Sequence, residues 1–86
     1  MKSHRQEHKL VRRNVVARGR SARTSVSLER VVWQAFREIA AQQGKTVHQL
    51  TLEIDRTRTL NRSAAIRVYI IEYYRAELVG ARHDAL

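Results

Sequence analysis

Residues 23–28 run Arg23-Thr24-Ser25-Val26-Ser27-Leu28. In an extended chain Thr24, Val26 and Leu28 face one side, and Arg23, Ser25 and Ser27 face the other. Alternation with a period of two, carried by β-branched residues, marks a half-buried strand. At Glu29 the period changes. Val32, Trp33, Phe36, Ile39 and Ala40 recur at helical spacing and form one apolar stripe, which predicts a helix over about residues 29–43. Gly44 follows, where a left-handed residue ends a helix at no steric cost.

Beyond Gly44, Thr46-Val47-His48-Gln49 has the spacing of a capping box. It opens a short helix to about Arg56, with Val47, Leu50 and Ile54 on one face. Thr57–Leu60 is a connector. Asn61 then caps a third helix, about 62–78, in which Ile66, Val68, Tyr69, Ile70, Ile71, Tyr73 and Tyr74 occupy most of the circumference. A helix apolar nearly all round must be buried nearly all round. A chain of 86 residues has little material of its own for that, and a second copy would supply it.

The strand points the same way. Its backbone N–H and C=O groups need partners. The one other candidate strand is Asn14–Ala17, folding back near Gly19. The simplest solution is an antiparallel pair with the same strand of a second chain, with Val26 near its own counterpart. Arg23, Ser25 and Ser27 then lie on the outer face of a two-stranded ribbon. Such a ribbon fits the major groove of B-DNA, where Arg can pair bidentately with guanine and Ser can donate or accept.

The charge is uneven. The chain carries +9, and residues 1–24 hold eight of its 17 Lys and Arg but only Glu7 of its eight acids. A basic arm over residues 1–22, largely flexible, on a nearly balanced domain (23–79) with a tail (80–86) suggests a polyanionic partner. Arg12, Arg13, Arg18 and Arg20 are its candidate contacts. A solubilising tail would have the same composition.

These residues resemble the ribbon-helix-helix family, of the Arc, MetJ and CopG type. The strand Arg23–Leu28 with Val32, Trp33, Phe36 and Ile39 behind it is one match. Leu60-Asn61-Arg62-Ser63-Ala64-Ala65-Ile66 is similar to the opening of the family's second helix. The stretch 23–55 with 61–75 is closer still to a bacterial subgroup with an arginine-rich arm and a TS-V-LE…W signature. The resemblance covers about residues 18–76. It implies a mainly α fold with one short β-strand, paired between the two chains of an intertwined homodimer. One departure is the helix at 46–56, which stands between the two family helices.

The resemblance implies a cytoplasmic, nucleoid-associated repressor that binds double-stranded DNA as a homodimer, with two dimers side by side on tandem sites. Arg23, Ser25 and Ser27 would read bases. Helix starts bind phosphate through free N–H groups. Thr46 and Asn61 are the two candidates, and Asn61 is favoured because Arg62 and Ser63 follow it; the same residues also make an ordinary cap. Val26, Leu28, Trp33, Phe36, Ile66, Ile70 and Tyr73 are expected in the dimer core. Two alternatives stay open: an antitoxin-like regulator with a protein partner, and a nucleic-acid binder acting through arm charge alone.

Other chemistry finds little support. Pro and Cys are both zero, so there is no disulfide framework or thiolate metal site. His4 and His8 stand at i, i+4 with no third ligand near them. There is no Gly-rich phosphate loop and no Ser/His/Asp set, so neither an enzyme nor a cofactor is expected. The longest apolar run, Val68–Ile71, is far short of a membrane span.

Overall fold

A computed structural model describes the backbone of residues 9–16 and 23–85, and the side chains as far as residue 81. His4, His8, Ala17, Arg18 and Arg20 lie outside the described residues. The elements are β1 (Leu10–Val16), β2 (Arg23–Glu29), α1 (Arg30–Gln42), α2 (Val47–Thr57) and α3 (Arg62–Ala85).

The expectation of one short strand is corrected to two. β1 and β2 form an antiparallel sheet, in register from Leu10 opposite Glu29 to Val16 opposite Arg23. Opposite residues share a face. Val11, Arg13 and Val15 therefore lie with Leu28, Val26 and Thr24 toward the helices, and Arg12, Asn14 and Val16 lie with Ser27, Ser25 and Arg23 on the outside. The candidate strand Asn14–Ala17 covers only the end of β1; ahead of it Arg13, exposed but on the helix side of the sheet, breaks the apolar alternation. The Arg13 guanidinium lies over the Trp33 ring, 5.9 Å from its centroid, where cation and ring quadrupole attract. With Arg12 and Asn14 beside it, the stretch has no visible alternation.

Trp33 also fixes β1 by its edge. Its indole N–H donates to the Val11 carbonyl at 2.8 Å. At the far end of β1 the Val16 N–H donates to His48 Nδ1 at 3.1 Å. The strand is thus held by α1 at one end and by α2 at the other.

The core lies between sheet and helices: Val15, Val26, Leu28, Trp33, Phe36, Ile39, Leu50, Ile54, Ile66 and Ile70 are all buried. Burying each large apolar side chain contributes about 1.5–3 kcal/mol before entropy is counted. The apolar stripe of α1 forms as its spacing predicts. Its end is a Schellman motif: Lys45 N–H bonds the Ala40 carbonyl at 2.8 Å and Gly44 N–H the Ala41 carbonyl at 3.0 Å, with Gly44 at φ 70°. The capping box of α2 is complete, with Thr46 Oγ1 accepting from Gln49 N–H at 3.0 Å and Gln49 Oε1 accepting from Thr46 N–H at 2.8 Å.

α3 runs on to Ala85, past the expected end near Leu78. Gly80 is a poor helix former, but Ala76, Glu77, Leu78, Ala81 and Arg82 around it are good ones. Two hydrogen bonds tie α3 to the end of α1, from Gln43 Nε2 to the Tyr69 hydroxyl and from the Tyr73 hydroxyl to Gln42 Oε1, both 2.7 Å. Desolvation, followed by the Glu77 carboxylate, holds the Tyr73 phenol above its ordinary range.

Trp33→Phe keeps a ring in the core but removes the N–H that the Val11 carbonyl accepts. It should destabilise the chain by about 1–2 kcal/mol, measured by urea unfolding. A wild-type midpoint for this variant would mean that β1 is not held by the indole.

Candidate nucleic-acid interface

The outer face of the hairpin is polar and open. Arg12, Asn14, Arg23 and Ser25 are exposed, and Val16 and Ser27 are half-buried. Arg23, Ser25 and Ser27 thus lie together on one face, as their alternation requires. Asn14 joins them from β1: its Oδ1 accepts from the Ser25 hydroxyl at 3.0 Å. Sequence reasoning missed Asn14 as a site residue. The available signal was Val11, Val15 and Val16 ahead of Gly19, a β-branched run that Arg12 and Arg13 interrupt. Arg12 and Arg13, grouped as arm residues by sequence, fall on opposite faces of one strand.

The start of α3 sits beside β2. Asn61 Oδ1 accepts from Ala64 N–H at 2.9 Å and caps the helix. The Ser63 hydroxyl donates to the Ser27 carbonyl at 3.3 Å. Arg67 reaches Glu29 Oε1 through Nη2 at 2.8 Å and Nε at 3.2 Å.

Arg62 has a different setting from the one its position after a cap suggests. Its Nε and Nη2 grip both oxygens of Asp55, at 2.9 and 3.1 Å, and its Nη1 lies 3.4 Å from Thr24 Oγ1. Arg58 Nε adds a bond to Asp55 Oδ1 at 2.8 Å. The Asp55 side chain is fully buried. A buried carboxylate needs such neighbours, and the paired guanidinium joins the end of α2, the start of α3 and the inner face of β2. Thr46, the other candidate helix start, is exposed at the opening of α2, next to the Val16–His48 contact.

An open groove of about 450 Å³ lies between α2, the connector and α3, lined in part by Glu53, Arg58, Leu60, Val68 and Glu72. Among the described residues no group of three His, Asp or Glu could hold a metal ion. No helix among the described residues is long and apolar enough to cross a membrane.

A ribbon-helix-helix domain model matches residues 10–74. The chain belongs to the ribbon-helix-helix family. The match opens on the first residue of β1, so the hairpin, α1, α2 and most of α3 all lie inside it. Ribbon-helix-helix domains are in general dimeric DNA-binding regulators rather than enzymes. Comparison with the curated proteins and with the solved structures gave no match.

The buried carboxylate yields a stability prediction for this ribbon-helix-helix domain. Asp55→Ala should cost about 2–3 kcal/mol, less than the roughly 3–5 of a fully buried pair, because Arg58 and Arg62 keep some solvent access. Glu53→Ala, which breaks only the exposed Lys45–Glu53 pair, should cost under about 1 kcal/mol. Similar urea midpoints for the two variants would remove the junction role from Asp55.

Proposed function

We propose that this chain is a homodimeric, sequence-specific DNA-binding protein that acts as a transcriptional repressor by occupying a promoter. The observation that carries this reading is the outer face of β2. Arg23, Ser25 and Ser27 stand in a row there, on a strand whose second edge has no strand partner among the described residues. An antiparallel copy of β2 on that edge makes a symmetric ribbon. In the major groove, Arg23 pairs with guanine O6 and N7, and the two serines donate to or accept from base edges.

A second feature supports the dimer. The residues expected in a dimer core (Val26, Leu28, Trp33, Phe36, Ile66, Ile70 and Tyr73) are packed within their own chain. The opposite side of α3 remains apolar and uncovered: Val68, Ile71, Tyr74 and Leu78 are 43, 59, 44 and 60% exposed. A second chain against this stripe gives the long helix its other covered side.

Phosphates fix the register of such a complex. The amides at the starts of α3 and α2, with Ser63 and Thr46, are the candidate groups, and Asn61 shapes the first as its cap. Arg62 contributes there through its charge near the helix start while its hydrogen bonds go to Asp55. The excess of basic charge, +9 over the chain, with Arg18 and Arg20 among its carriers, raises affinity for any DNA. Two dimers side by side on tandem sites, in the nucleoid of a bacterial cytoplasm, complete the proposal.

The test is selection of bound duplexes from a random pool at about physiological salt. Enrichment of an inverted repeat is the expected result. Binding that only fades as salt rises, with no enriched sequence, would overturn it. Arg23→Ala should then weaken the selected duplex by about 1–3 kcal/mol and relax one position in each half-site. An equal loss on all sequences would remove Arg23 from base recognition.

A further inference from the structure

The two strands of the hairpin are not equivalent toward DNA, and the hydrogen bonds fix how they differ. The Val16 N–H goes to His48, so Val16 and Arg23 form a non-hydrogen-bonded pair. Antiparallel pairs alternate. Asn14 with Ser25, and Arg12 with Ser27, are then also non-hydrogen-bonded pairs. Two further contacts agree. Side chains come closest in such pairs, and Asn14 and Ser25 are bonded at 3.0 Å. The Ser27 carbonyl accepts from Ser63 on α3, as a carbonyl on the open edge of β2 can. The N–H and C=O groups of Arg23, Ser25 and Ser27 therefore point away from β1, to the open edge of β2.

A second β2 joining that edge about a two-fold axis at Val26 sets Ser25 opposite the partner's Ser27. The outer face then carries two symmetric rows, each four strands wide. One row runs Arg12, Ser27, the partner's Ser25, the partner's Asn14. The outer strands are separated by three spacings of about 4.8 Å, roughly 14 Å in all. The major groove is only about 12 Å wide. The two β2 strands fit inside it, and the two β1 strands lie over its phosphate walls.

We propose that β1 is a phosphate-gripping outer strand of a four-stranded DNA-facing sheet, in which Arg12 contacts the phosphate backbone and Asn14 positions the base-reading Ser25. This rests on the dimeric DNA reader proposed above. Arg12 is exposed on the outer face, with a side chain long enough to reach the groove wall. Asn14 is too short to reach it and instead fixes the Ser25 hydroxyl. Arg13 carries the same charge one residue away, but it lies on the helix side over Trp33. A flexible basic arm would use both arginines alike, whereas a strand uses only Arg12.

The experiment measures affinity against salt for the full chain and for R12A, R13Q and N14A, on the selected duplex and on a scrambled one. R12A should weaken both duplexes roughly ten- to thirtyfold near physiological salt. It should lower the slope of log K against log salt by about 1.8 for two arginines per dimer. R13Q should leave the slope unchanged. N14A should leave the slope unchanged and relax the preference at the base that Ser25 reads. Equal flattening by R12A and R13Q would overturn the outer strand while leaving the DNA reader intact. A wild-type chain that binds neither duplex would overturn both. Amide exchange of the wild-type chain gives a check that does not depend on the folding of R13Q: Val11, Arg13 and Val15 should be protected and Arg12 and Asn14 should not. Uniform exchange along residues 11–15 would also overturn the proposal.

Discussion

The Trp33 indole is the contact on which the hairpin depends. One side of its ring system lies in the core next to Phe36, at 6.4 Å between centroids. Its edge donates to the Val11 carbonyl, and its remaining face carries the Arg13 guanidinium. One side chain therefore satisfies apolar packing, a buried N–H and a charge. β1, held there, covers one edge of β2, and no strand among the described residues covers the other. Which face of the hairpin turns outward follows from where that ring sits.

Besides the stacking of Arg13 on Trp33, arginine is used in three further settings. Arg58 and Arg62 neutralise the buried Asp55 carboxylate and join α2, α3 and β2. Arg67 and Glu29 pair across the start of α1 and the first turns of α3. Arg12 and Arg23 stand on the outer face of the sheet. Net charge does not distinguish these uses. Among the described residues the exposed basic side chains are therefore spread over the hairpin and the helices, with Arg30, Arg37, Arg56 and Arg75 open as well as Arg12 and Arg23.

Much of this architecture was legible in the sequence. The change from period two to helical spacing at Glu29, the Thr46–Gln49 capping box, Gly44 and the Asn61 cap each rest on interactions within a few residues. What was not legible depends on distant partners. β1 was visible only at its end, in the candidate strand Asn14–Ala17; its first half was hidden because Arg12 and Arg13 interrupt the alternation, Arg13 being an exposed residue on the helix side of the sheet, over the Trp33 ring. The commitment of Arg62 could not be seen because Asp55 lies seven residues earlier, on another helix. Ile66, Ile70 and Tyr73, expected in a dimer core, pack against the core of their own chain. Their periodicity could not say whether the covering material came from their own chain or from another, and their own chain covers them.

The Ser63 hydroxyl reaches the edge of β2 that β1 leaves open. An open strand edge is a template for indiscriminate pairing. In the single chain Ser63 engages the Ser27 carbonyl on that edge. A carbonyl has two lone pairs, so an incoming strand can bond the same oxygen without first evicting the hydroxyl. The contact thus gives the edge one side-chain partner and leaves the same oxygen with an acceptor site to spare.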